Sequence, residues 1–195
     1  MQSRELTLSG ISRYSPSSSL GLARAMKIFA FICFTSAGAQ LAVRLPFTPV
    51  PVTMQTLFVI LAGVTLGARD GCYAMLSYLA LGLAGVPVFA EFSFGPAALL
   101  GPTGGYLISF PAAALVSGYV ADALGSGRWA VFSASICGAT LILLSGASYL
   151  AFISGLTLAR AASIGIMPFV AGDIVKALIV SLVSRRGVNL QNALR

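Results

Sequence analysis

The run MPFVAGDIVKALIVSLVSRR, residues 167 to 186, reads as a membrane helix that carries an acid and a base in its interior. Pro168 suits a first helical turn, where its missing N–H would have no partner anyway. From there to the Arg185–Arg186 pair the run approaches the roughly 20 residues that cross a bilayer. Asp173 and Lys176 are three apart, so a helix sets them on one face with Cβ atoms about 5 to 6 Å apart. A charge near the bilayer centre costs roughly 2.5 to 3.5 kcal/mol on insertion scales, so such residues face the bundle or a wet cavity. Lys176 lies about 12 Å along the axis from Pro168, at about 1.5 Å per residue.

Composition places this helix in a membrane protein. Of 195 residues 57% are hydrophobic and 9% charged, against roughly 25% charged in a soluble domain, and mean hydropathy is +0.93. Apolar runs separated by Pro, Gly or charge define spans at about 22–43, 54–68, 71–90, 104–124, 129–153 and 168–184. The expected fold is an all-α integral membrane protein of six transmembrane helices. It consists of a flexible cytoplasmic tail over residues 1–19 and a membrane domain over 20–195. Arg69 and Asp70 are read as the divider between the second and third spans.

Lys and Arg collect on cytoplasmic segments. With both termini inside, Arg4, Arg13, Arg24, Lys27, Arg69, Arg128, Arg185, Arg186 and Arg195 fall on the inner side and only Arg44 and Arg160 outside. The net charge of +7 thus reflects topology and calls for no nucleic-acid partner. MKIFAFICFTSAGAQ, residues 26–40, has the basic start, apolar centre and small-residue end of a cleavable signal. Its removal would leave five spans and spoil the charge asymmetry, so it is read as the first span.

The absence of histidine excludes Ser–His and Cys–His nucleophiles. Cys33, Cys72 and Cys137 have no C-x-x-C spacing and are read as small buried filler. LGPTGGY, residues 100–106, lacks the G-K-[ST] of a phosphate-binding loop. Enzymatic chemistry, cofactors and bound metals are therefore not expected. Gly63-x-x-x-Gly67 and Gly38-x-x-x-Ala42 are read as helix contacts inside the bundle.

Loop RLPFTPVPVTMQT, residues 44–56, is stiffened by Pro46, Pro49 and Pro51 into an extended path. A rigid loop of this kind can wall a pocket, to which Thr48, Thr53 and Gln55 add hydrogen-bonding groups. The connection 85–111, GVPVFAEFSFGPAALLGPTGGYLISFP, adds four Phe and the Gly104–Gly105 pair beside Tyr106. The expected ligand is largely apolar with one or two polar ends, although outer-loop aromatics also serve as interface anchors. Asp173 and Lys176 fit three readings: a structural ion pair, a donor–acceptor pair for a ligand, or a proton-carrying site.

PFTPVPVTMQTLFVILAG, GVPVFA, LGPTGGYLISFP and GDIVKALIV, in this order between Leu45 and Val183, resemble the BioY family. These are the biotin-binding S components of energy-coupling-factor (ECF) vitamin transporters. The resemblance implies capture and uptake of biotin across a prokaryotic cytoplasmic membrane, with a transmembrane coupling protein, two cytoplasmic ATPases and membrane lipid as partners. It assigns Asp173 and Lys176 to the biotin head and Thr53 and Gln55 to the lining, and it adds Tyr78 and Tyr106. Arg44 or backbone N–H groups are left to meet the biotin carboxylate. A strict A-x-x-x-A docking patch is missing from residues 22–43. The alternative from another class is a stand-alone proton-coupled carrier of a small vitamin-like solute.

Overall fold

The computed structural model describes residues 16–125 and 127–184. Helix α1 spans Pro16–Gln40, α2 Gln55–Leu66, α3 Ala68–Leu83, α4 Pro96–Leu100, α5 Gly104–Leu124, α6 Arg128–Ser154, α7 Leu158–Gly165 and α8 Met167–Val183. Between α1 and α2, strands β1 (Ala42–Val43) and β2 (Val52–Thr53) form a short antiparallel hairpin, with Ala42 opposite Thr53 and Val43 opposite Val52. A single 3-10 turn, Ala90–Phe92, follows α3.

Helix α5 is the hub, packed on α2, α3, α4 and α6, while α8 lies against α2, α6 and α7. Small residues make the hub possible. Gly63 of α2 meets the Ala114 carbonyl and Ser117 of α5, and Gly71 of α3 packs against the backbone of Ala62 and Gly63. A Cβ on Gly63 would strike α5, and one on Gly71 would strike α2. One core cluster gathers Met75, Tyr78, Phe89, Phe110 and Ile142, and a second gathers Leu57, Ile60, Val131 and Val180. The outside of the bundle is itself apolar, with Phe29, Trp129, Leu144, Phe152 and Leu182 exposed, as expected of a surface solvated by hydrocarbon.

Among the described residues, three helical stretches are long and apolar enough to cross a membrane: Gly21–Gln40, Gly104–Leu124 and Arg128–Ser154. Helices α7 and α8, bent by 46° at a short break, form a fourth if counted as one broken span. At 12 residues, α2 rises only about 18 Å, less than the roughly 30 Å of hydrocarbon. The structure also sorts the loops between two ends. At one, Arg24 of α1 pairs with Asp70 of α3 at 2.5 Å, and Gly118 near the end of α5 abuts Ala68. At the other, the end of α1 meets the turn after α3 through Gln40 and Phe89.

Several expectations are corrected. Pro16 begins α1, so the last residues of the proposed 1–19 tail are helical, while residues 1–15 lie outside the described residues, as do Arg185, Arg186 and Arg195. Arg69 and Asp70 do not divide spans. They sit in the first turn of α3, and the break is Gly67 at φ +88°, a left-handed conformation that favours glycine. With Gly67 between α2 and α3 and Ala42 in β1, neither pair lies wholly on one helix, but Gly63 and Gly38 make the expected contacts inside the bundle, Gly63 on α5 and Gly38 on Phe58 of α2. The cysteines are not buried filler: Cys33 and Cys137 are exposed and Cys72 is half-buried. The segment before α8, expected to be loop, contains α7, whose first turn is capped by the Thr157 side chain accepting from the Arg160 N–H.

Candidate functional site

One end of the bundle encloses a cavity of about 620 Å³, within the range of small-molecule sites. Each wall is positioned by a different element. The β1–β2 hairpin and its three prolines cover one side, the start of α2 supplies Gln55 and Thr56, and α5 and α6 supply Phe110 and Ile142. Helix α8 supplies Phe169, Asp173 and Lys176, each one turn from the next on the same face.

Asp173 and Lys176 are the buried end of this cavity. The Lys176 Nζ lies 3.0 Å from Asp173 Oδ1, with side chains only 7% and 6% exposed respectively. The ammonium also donates to Thr56 Oγ1 at 2.7 Å, and the Thr56 hydroxyl donates in turn to Asp173 Oδ1 at 3.3 Å. Three groups on two helices thus form a closed triangle. It leaves specific capacity unspent. Asp173 Oδ2 is buried without a hydrogen-bond partner among the described residues. Lys176 uses two of an ammonium's three donors on these partners. A buried acceptor and a buried donor side by side cost free energy unless a ligand matches them.

A second polar chain runs behind the hairpin wall. The Thr53 hydroxyl donates to Gln55 Oε1 at 3.0 Å, Gln55 Nε2 donates to the Tyr78 hydroxyl at 2.7 Å, and Tyr78 donates to the Val88 carbonyl at 2.8 Å. Thr53 and Gln55 line the cavity. Tyr78 does not: it is fully buried behind Gln55, so its place is to hold the Gln55 amide and to tie the turn after α3 to the core. Tyr106 does line the cavity, but its hydroxyl is spent on the Gly165 carbonyl at 2.7 Å. Its ring is what it offers, against Phe169 at a centroid distance of 6.3 Å. The four Phe of the 85–111 connection divide evenly: Phe89 and Phe110 wall the cavity, whereas Phe92 and Phe94 are exposed.

The exposed end of the cavity is charged. Arg44, just after β1, meets Glu91 in a two-pronged ion pair through Nε and Nη2, and both residues line the cavity. The Arg44 hydrogen bond holds the Glu91 carboxyl below its ordinary value of 4.5, and Glu91 raises the Arg44 guanidinium. Gln40 secures the same turn from the other side, its Nε2 donating to the Phe89 carbonyl at 3.1 Å and its Oε1 accepting from the Phe92 N–H at 3.0 Å.

Thr56, Glu91 and Gln40 were not singled out by sequence reasoning. Thr56 had a signal, as a hydroxyl next to Gln55 at the edge of an apolar run. Glu91 and Gln40 had none, because their partners are 47 to 52 residues away.

The BioY family model matches residues 12–193 of the chain. A protein of Pyrococcus horikoshii described as "Probable biotin transporter BioY" is 43% identical over 156 residues, 80% of this chain and 90% of that one. "Biotin transporter BioY" of Thermotoga maritima is 38% identical over 144 residues, 74% of this chain and 84% of its own. Among solved structures, the S-component for biotin from an ECF-type ABC transporter has the same fold, with a TM-score of 0.82 at 22% identity over 95% of this chain and 100% of that one. These relatives are named for transport, not for catalysis.

Proposed function

The chain belongs to the BioY family, and on that premise we propose that it captures biotin in the cavity between Asp173 and Arg44 as the substrate-binding component of an ECF-type transporter. One observation carries the assignment: the unspent Asp173 Oδ2 acceptor and Lys176 donor lie together at the buried end of an otherwise largely apolar cavity. Biotin presents the complement. Its ureido N–H groups need an acceptor, its ureido carbonyl needs a donor, its ring and chain are apolar, and its carboxylate sits at the far end of that chain.

In this reading the head enters first and completes the Asp173–Thr56–Lys176 triangle. Charge-assisted hydrogen bonds in a site shielded from water are the stronger kind. Phe110, Phe169 and the Tyr106 ring take the apolar part, and their existing packing limits the side-chain ordering that binding would otherwise cost. Thr53 and Gln55 shape the wall beneath the hairpin, with Tyr78 behind them. Arg44 receives the carboxylate at the exposed end. No bond is made or broken, so no catalytic group or cofactor is required.

The membrane arrangement that accompanies this reading has six spans, including the short α2, with both termini in the cytoplasm and the cavity open to the outside of a prokaryotic cytoplasmic membrane. Inward release then requires a transmembrane coupling protein and two ATPases. The test is biotin uptake into proteoliposomes. Uptake that requires the partners and ATP supports the ECF reading. Uptake by the chain alone that follows an imposed proton gradient would replace it with a proton-coupled carrier.

A further inference from the structure

We infer that Glu91 is a built-in competitor for the ligand's carboxylate, occupying Arg44 while the loops are closed without ligand and yielding it when the carboxylate of biotin arrives. The inference rests on the biotin reading above and adds the residue that sets the preference for a charged over an uncharged tail.

The geometry is of an occupied carboxylate site. Arg44 engages both Glu91 oxygens through Nε and Nη2, the fork arrangement by which a guanidinium recognises one planar carboxylate at a time. Both residues line the cavity, so the ligand's carboxylate and that of Glu91 compete for one fork. Glu91 is held there by an unusual backbone. It lies at φ +57° and ψ +38°, and Phe92 follows at φ +57°, the left-handed region that non-glycine residues adopt at a cost. Gln40 clamps this turn independently at the Phe89 carbonyl and the Phe92 N–H. The turn therefore keeps a second anchor when the ion pair is broken.

Exchange is also energetically easy. The pair is solvent-exposed on both sides, and such pairs contribute little because water and salt screen them. An incoming carboxylate tethered to a head already seated at Asp173 and Lys176 acts at high effective concentration. Glu91 thus lowers the apparent affinity only by the fraction of time that it occupies Arg44. It also places a negative charge against any anion that lacks the matching head.

The experiment is calorimetric titration of biotin and of biotinamide, its uncharged carboxamide analogue, into detergent-purified wild type, Glu91→Gln and Arg44→Gln. Removing the competing charge is expected to tighten biotin binding roughly two- to fivefold, the range set by an exposed ion pair, and to leave biotinamide unchanged. Arg44→Gln is expected to weaken biotin and leave biotinamide unchanged. Equal tightening of both ligands in Glu91→Gln would mean that the pair only holds the loops shut, and unaltered biotin binding would mean that Glu91 does not compete. Either result overturns the inference while the biotin reading stands. Wild type that binds neither ligand refutes the biotin reading, and this inference with it.

Discussion

Thr56→Val removes one hydroxyl and preserves side-chain shape, and the triangle at the buried end of the cavity makes its consequences calculable. The Lys176 ammonium loses its 2.7 Å acceptor and retains only Asp173, at 3.0 Å. A hydrogen bond to a charged group contributes about 1.5 to 3 kcal/mol, while the 3.3 Å contact to Asp173 is long enough to add little. That loss falls mainly on folding stability, because the orphaned N–H stays unsatisfied with or without ligand and so cancels from the binding difference. What remains in binding is preorganisation. Ordering a rotamer-rich side chain costs roughly 0.5 to 1.5 kcal/mol, which at about 1.4 kcal/mol per decade weakens biotin roughly two- to twelvefold. Thr56→Ser retains the hydroxyl and is expected to restore most of both losses. Thermal unfolding and biotin titration in the same detergent measure the two effects side by side. Thr56→Val indistinguishable from wild type in both, or Thr56→Ser as damaging as Thr56→Val, would show that the hydroxyl does not organise the pair.

Three further outcomes are expected. Glu91 has a lowered carboxyl, so its contribution is complete above the unfolded value of 4.5 and is lost as pH falls through the lower folded value. The separation of spin labels on the hairpin and on the turn after α3 should stay constant down to about pH 4.5 and increase below it; an increase beginning near neutral pH would contradict the assignment. Gly146→Ala would drive a Cβ into the Tyr106 ring and cost about 1 to 3 kcal/mol by overpacking, whereas Gly172→Ala meets open space and should not lower the unfolding temperature. Tyr78→Phe strands the Val88 carbonyl and the Gln55 amide, an expected loss of about 1 to 3 kcal/mol, with biotin affinity changed less than stability; the reverse order would make Tyr78 a direct contact.

What could be read from sequence divides along physical lines. Helix α5 coincides with its expected span, and α6 and α8 match within a residue at each end, because long apolar runs bounded by glycine, proline or arginine encode their own limits. The Asp173–Lys176 pair was legible because a spacing of three fixes a shared face before anything is known of the tertiary structure. Thr56 is separated from those partners by 117 and 120 residues, and periodicity carries no such distance. The same holds for Arg44: its charge and place in the first loop could be read, but its engagement with Glu91 could not. Periodicity also failed for Cys33 and Cys137, since an all-round apolar helix does not announce which face meets its neighbours. The short α7 was hidden by the polar residues of a segment that resembles a loop, although Thr157, three residues before Arg160, is an available capping signal.

Whether Asp173 and Lys176 hold the biotin head is decided by titration of biotin into purified wild type, Asp173→Asn and Lys176→Met, with folding of each variant verified by gel filtration and thermal unfolding. Breaking a buried pair costs about 3 to 5 kcal/mol of stability, so the double variant Asp173→Asn with Lys176→Met, which leaves no lone buried charge, is included as the better-folded comparison. Wild type is expected to bind tightly and each folded variant to lose at least tenfold, since each removes a charge-assisted hydrogen bond of about 1.5 to 3 kcal/mol. Wild type that does not bind biotin, or a folded double variant that binds as wild type does, would refute the assignment and leave the pair as a structural feature of α8.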